Sequence, residues 1–318
     1  MSKVKEIKLA GKYEGFENRV IEHIVTLPDL RPVTITGKFF YLSFRGQEPT
    51  VEEFVDYLYY RMVPFCIPRT KRYLNYKKFE TTGDDRYYVE LLDQAKNLFV
   101  KALNSDRSGE PGELILFSFI EAFLNAPQIA CKMYLKTSEK MNVHGSDSIH
   151  AMYNSGNGEL NLIWGESKLY KSISASIEEI CESISSFYYK KDERTPRERD
   201  IDIIKDHPNI DDPEMKDAFL KYFDPYTSEV NKRVESFCCL SGFDCNIYNK
   251  LEKISDDKIE EYFKKQYMGL IIDACILFKE KIIKHNIDKL NYIFMLLPFK
   301  SVVEFRKLFF KKLGYSKR

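Results

Sequence analysis

The chain is short of net charge, of histidine and of any long apolar run. Lysine and arginine number 49 against 48 aspartates and glutamates, a formal net charge of +1 over 318 residues. That balance excludes a generally basic nucleic-acid coat and leaves any nucleic-acid contact to local patches. No stretch approaches the ~20 apolar residues needed to cross a bilayer. Met1-Ser2-Lys3-Val4-Lys5 opens without a signal-peptide core, so the expected location is cytoplasmic. The seven cysteines are irregularly spaced, and Cys238, Cys239 and Cys245 cluster without a fourth ligand at a zinc-like interval. They read as buried free thiols rather than a metal site. The five histidines form no ligand pattern.

What is present is enough chain for a sizeable core and one or two domains. Val33-Thr34-Ile35-Thr36 and Lys38 to Leu42 alternate like strands. Thr50 with Glu53 makes a capping-box start for a helix that carries Phe54, Tyr57, Leu58 and Arg61 toward Pro64. Tyr88 to Leu103 reads as a further helix, and Lys190 to Asp202 as a charged, proline-containing loop facing solvent, DNA or another protein. Asp212 to Asn286 is helical in pattern, with a break near Ser241-Gly242. Asn291 to Pro298 reads as a buried strand, and Val302 to Leu313 as a final helix with Lys307, Lys311 and Lys312. The expected division is an α+β region over 1–85, either a domain of its own or a flank packed on the core, and a main domain over 86–318 with a helical insertion at about 196–290.

The chemistry concentrates between Glu113 and Lys168. Asn154-Ser155-Gly156-Asn157-Gly158 is a turn signal between two alternating runs. A turn centred between Gly156 and Asn157 sets Asp147 opposite Glu166 and Gly145 opposite Lys168. Directly opposed side chains lie ~5 Å apart at Cβ, so two carboxylates converge and Lys168 shares their face. That face also carries Ile149, Ala151, Tyr153, Leu160, Leu162 and Trp164, while His150 falls on the other and reads as structural or partner-facing. Opposed carboxylates call for a hard divalent cation. The plainer reading is a solvated hairpin end with a Glu166–Lys168 surface pair.

Upstream, Gly109-Glu110-Pro111-Gly112-Glu113 starts a helix with Leu114, Phe117, Ile120, Phe123 and Leu124 as its buried stripe. Glu113 lies on the stripe side, as a site acid or as an ordinary first-turn acid for the helix dipole. Gln128 to Thr137 alternates like a strand, with Lys132 and Lys136 set to meet phosphate or simply exposed. After the hairpin, Ile173, Ile177, Ile180, Ile184 and Phe187 follow helical spacing, with Glu178, Glu179 and Glu182 off that face.

The order helix, strand, strand, strand, helix, with acids at the helix start and on the hairpin, resembles the PD-(D/E)xK nuclease fold. That is an α/β, mixed α+β architecture with a central mixed sheet flanked by helices. More narrowly, Gly112-Glu113, Lys132, His144-Gly145-Ser146-Asp147-Ser148-Ile149-His150 and Trp164-Gly165-Glu166-Ser167-Lys168-Leu169-Tyr170 resemble the HamA family of the Hachiman anti-phage defence system. Phe294 to Phe299 and the amphipathic helix after it also fit that family. The resemblance implies a Mg2+-dependent (or Mn2+-dependent) deoxyribonuclease effector acting on DNA under the control of a helicase, HamB. It implies that Asp147 and Glu166 hold the metal and that Glu113 completes the acidic cluster. Lys168 would orient or deprotonate the attacking water. Ser146-Asp147 stands where the fold's usual motif has Pro-Asp. A second reading keeps the fold and drops the reaction: a non-catalytic module that binds a helicase or DNA. The set Glu113, Asp147, Glu166 and Lys168 favours the enzyme, since a binding module has no use for opposed carboxylates beside a lysine.

Overall fold

The computed structural model describes residues 7–102, 109–135, 145–190 and 193–315. The strands are β1 (Val20–His23), β2 (Thr34–Leu42), β3 (Phe44–Arg45), β4 (Glu48–Pro49), β5 (Gln128–Ala130), β6 (Ser148–Asn154), β7 (Glu159–Tyr170), β8 (Arg233–Asp244) and β9 (Asn291–Phe299). The helices are α1 (Val51–Cys66), α2 (Arg69–Thr82), α3 (Arg86–Ala102), α4 (Glu110–Leu124), α5 (Lys132–Leu135), α6 (Ile173–Tyr189), α7 (Pro196–Asp206), α8 (Pro213–Leu220), α9 (Ile259–Lys284) and α10 (Val302–Lys312). Seven strands form one mixed sheet in the order β1-β2-β9-β8-β7-β6-β5, so the fold is mixed α/β. β2 runs parallel to β9, Thr34 opposite Asn291 through Phe39 opposite Leu296, while β1–β2 and β5–β6–β7 are antiparallel.

By contact the chain divides into two compact units. The first gathers Met1–Tyr13, Tyr60–Gly165 and Phe187–Ser236, and the second Glu14–Tyr59, Glu166–Ser186 and Phe237–Arg318. In the first, α4 packs with Phe65, Phe99 and Phe117 in its core. In the second, α9 and β9 share an aromatic core, with Phe278 stacked 4.2 Å from Phe294.

Several elements differ from the pattern reading. α1 runs through Pro64 to Cys66, and the Thr50 hydroxyl donates to the Ser43 carbonyl at 2.9 Å. The strand expected over 128–137 stops at Ala130, and Lys132 to Leu135 turn helical; its remainder, with Lys136, lies outside the described residues. The loop expected over 190–202 holds the start of α7, which has a complete capping box between Thr195 and Glu198. The helical stretch expected over 212–286 contains β8, a central strand. Its run from Ser236 to Phe243 is buried without alternation, which is how a strand covered on both faces reads. The suspected break at Gly242 is a close approach instead. A Cβ there would come 2.3 Å from Leu169 Cδ2.

Candidate active site

The hairpin has the register that its turn dictates. Pairs run from Ser148 opposite Gly165 to Asn154 opposite Glu159. Asn154 Oδ1 accepts from Gly156 N at 2.9 Å, Asn157 Oδ1 accepts from Glu159 N at 3.0 Å, and Gly158 takes φ +72°. That left-handed backbone is open to glycine at no steric cost. One residue beyond the last strand pair, Asp147 N donates to Gly165 O at 2.8 Å. Asp147 is half-buried. Both hairpin faces are covered, since Ile149, Leu160, Leu162 and Trp164 are buried on one and Ser148, His150 and Ile163 on the other.

In the first unit, Glu113 sits in the first turn of α4 and is only 7% exposed. The helix is buried on every side from Pro111 to Glu121 rather than along one stripe, so Glu113 is more than a solvated dipole acid. His144 lies outside the described residues. His150 donates through Nδ1 to Ala126 O at 2.8 Å when that nitrogen carries the proton. Burial holds its pKa down, to about 3, so the ring is neutral and structural.

Lys132 does not offer itself to phosphate. It is 2% exposed, and its Nζ donates to Asp200 Oδ1 and Oδ2 at 2.8 and 3.0 Å and to the Ser146 carbonyl. Asp200, on α7, is fully buried and also accepts from Ser146 N at 2.9 Å and Ser146 Oγ at 2.6 Å. A Cβ on Gly145 would come 2.4 Å from Asp200 Oδ1. One carboxylate therefore clamps the Gly145-Ser146 corner immediately before Asp147, with Lys132 balancing its charge. Pattern reading misses Asp200 because it lies in a charged stretch that looks like loop. Its one available signal is the Thr195-Pro196-x-Glu198 helix start.

A second buried acid outside the predicted set is Glu121. It accepts from Ala10 N at 2.8 Å, Gly11 N at 3.2 Å, Tyr13 Oη at 2.9 Å and Gln128 N at 2.9 Å. Burial pushes its pKa up against those donors and Arg69. Its oxygens are spent on backbone, which makes it an anchor for the chain's first described residues.

In the second unit, Glu166 and Lys168 stand two apart on β7, hence on one face. Lys168 Nζ meets Glu166 Oε1 at 2.8 Å, with the two side chains 24% and 7% exposed. The solvated surface pair is thus excluded, for the carboxylate is buried. The strand beneath them is held from several directions. Ser176 Oγ donates to Lys168 O at 3.1 Å, Arg306 Nη2 donates to Leu169 O at 2.9 Å, and Leu169 covers Gly242. Glu178, Glu182 and His285 also approach one another, but Lys281 and Lys284 neutralise Glu178 and, with its hydrogen bond to His285, hold its pKa down, to about 2.

Carboxylate oxygens such as that of Glu166 are the ligand type a hard cation takes. The seven cysteines are buried free thiols. No helix among the described residues is long and apolar enough to cross a membrane. No curated protein matches the chain. One family model does, over residues 15–313 of the 318, and by that match the chain belongs to the HamA family.

Proposed function

We propose that this protein is a Mg2+-dependent DNA nuclease with a PD-(D/E)xK core. As a HamA, it is an effector of anti-phage defence. The observation that carries the nuclease reading is the buried Glu166 carboxylate paired at 2.8 Å with Lys168, on the strand whose hairpin register continues toward Asp147. The lysine, 24% exposed, keeps its donors within reach of solvent and substrate while its carboxylate partner is buried.

In this reading Asp147 and Glu166 hold the cation, with Glu113 completing the acidic set directly or through water. When bound, the cation supplies an acidified water and polarises a phosphoryl oxygen. Lys168 donates a hydrogen bond that orients the attacking water and faces the charge that develops on phosphorus. Asp200 and Lys132 lock the corner that aims Asp147. A HamB helicase is the partner that presents DNA and licenses cleavage.

Plasmid degradation, with Mg2+ or chelator and with or without the helicase, tests this directly. Glu166→Ala and Lys168→Ala each lose about a hundredfold or more of the cleavage rate while keeping the far-UV circular dichroism of the parent. A Glu166→Ala protein that degrades DNA at the parent rate sinks the assignment and leaves the non-catalytic binding module standing.

A further inference from the structure

A second feature of the first unit lies in α1, α2 and α3 and takes no part in the proposed chemistry. α2 carries five cations, Arg69, Lys71, Arg72, Lys77 and Lys78, against one acid, Glu80; Arg69 and Arg72 are buried, which leaves Lys71, Lys77 and Lys78 on the outer side, with Lys77 paired to Glu80 at 2.9 Å. The whole chain has a net charge of only +1, so the three outer lysines of this helix form a local positive patch. Tyrosines interleave with the cations. Tyr73 is 53% exposed, and Leu74, Tyr88 and Val89 also face solvent. Lys77 Nζ lies 5.6 Å from the Tyr73 ring centre and Lys78 Nζ 5.5 Å from that of Tyr87.

Beside the patch is a cavity of about 470 Å³ lined by Tyr60, Tyr76 and Tyr88 together with Lys12, Arg61 and Arg72. Arg72 donates to Ala10 O at 2.7 Å and Ile67 O at 3.1 Å, and Arg61 to Lys12 O, so both guanidinium groups are fixed in its wall. Tyr76 and Tyr88 pack at 5.4 Å. Tyr60 is 62% exposed at the rim. The volume is that of an ordinary small-ligand site. An aromatic lining with fixed cations matches a nucleobase and its phosphate.

The geometry points to a docking surface for single-stranded nucleic acid along α2, with one unstacked base in the cavity and the flanking phosphates on Lys71, Lys77 and Lys78. This deepens the proposed function, and rests on it for the identity of the strand as DNA. Stacking on tyrosine is indifferent to sequence, and lysines beside the same rings take the backbone. The helix, roughly 20 Å long at 1.5 Å per residue, outruns a mononucleotide. Leu74 and Val89 are also exposed here, so a protein partner is the alternative that the strand-binding experiment decides against; lysines, which this face carries, are depleted in protein interfaces.

The test is fluorescence anisotropy of a labelled oligothymidylate with the full chain in chelator, so that cleavage plays no part. The parent binds. Tyr73→Ala and Tyr88→Ala each weaken binding roughly tenfold, and Lys77→Ala/Lys78→Ala lowers the slope of log K against log salt by about 1.4. These positions are exposed, and unchanged melting of each variant shows that folding is intact. Absence of strand binding by the parent overturns the inference and gives the face to a protein. Equal binding by all variants overturns it too, as does displacement by thymidine monophosphate as effective as by the strand. Glu166→Ala separates the two readings. If strand binding persists but the parent never cleaves with Mg2+, the surface stands and the nuclease fails. If cleavage depends on Glu166 while the α2 variants bind normally, the nuclease stands and the surface fails.

Discussion

Asp200 shows how much a single buried carboxylate controls here. It accepts from Lys132, from Ser146 twice, and abuts Gly145. Asp200→Asn strands the Lys132 ammonium in the interior, at a cost of about 3–5 kcal/mol. Urea denaturation reads this as a lower midpoint at constant m value, and Lys132→Met/Asp200→Leu restores part of it. His150 gives a pH signature. Its folded pKa, about 3, lies below its ordinary 6.5. Between those values the unfolded chain binds a proton that the fold refuses. Stability is therefore full above pH 6.5 and declines as pH falls toward 3, by ~1.4 kcal/mol per pH unit. His150→Asn removes one proton's worth of that slope in denaturation curves taken across the range; an unchanged slope refutes a neutral buried imidazole. At this scale the sequence was legible where chemistry is local. Glu166 and Lys168 share a face by strand alternation alone, whereas the Lys132–Asp200 pair spans 68 positions and leaves no periodic trace.

Among the elements, those with strong local signals formed as read. The Asn-Ser-Gly-Asn-Gly turn set the β6–β7 register, Pro111 and Glu113 marked the start of α4, and β9 and α10 fall within a residue of expectation. The failures have separate causes. β8 is covered on both faces and so lacks alternation, and an unbroken apolar run does not distinguish strand from helix. α7 is short, charged and mostly polar, so its capping box was its sole signature. α7 and β8 are also tied to one another. Arg197 Nε donates to Glu235 Oε2 at 2.9 Å, and Trp164 Nε1 donates to the same oxygen at 2.9 Å. Thr195→Ala removes the side-chain acceptor for Glu198 N and costs about 1 kcal/mol, seen as a lower melting temperature. A neutral outcome shows that α7 is held by Asp200 and Arg197 rather than by its cap.

For the whole molecule, composition set real bounds. All seven cysteines are buried free thiols, and burial raises the pKa of Cys245 to about 11 and of Cys131, Cys181 and Cys275 to about 12. The native protein therefore reacts slowly with Ellman's reagent and titrates seven thiols only after denaturation. Rapid reaction of several in the native state contradicts a closed core. By itself the sequence determined the hairpin register, the helix starts and the identity of the candidate acids, because turn residues, caps and side-chain alternation act within a few positions of the chain. Only the tertiary structure decided that β8 is a central strand and that Glu113 and Glu166 are buried. It also turned Lys132 from a phosphate contact into the partner of Asp200. Burial and ion pairing depend on what lies across the fold, and no local pattern carries that information.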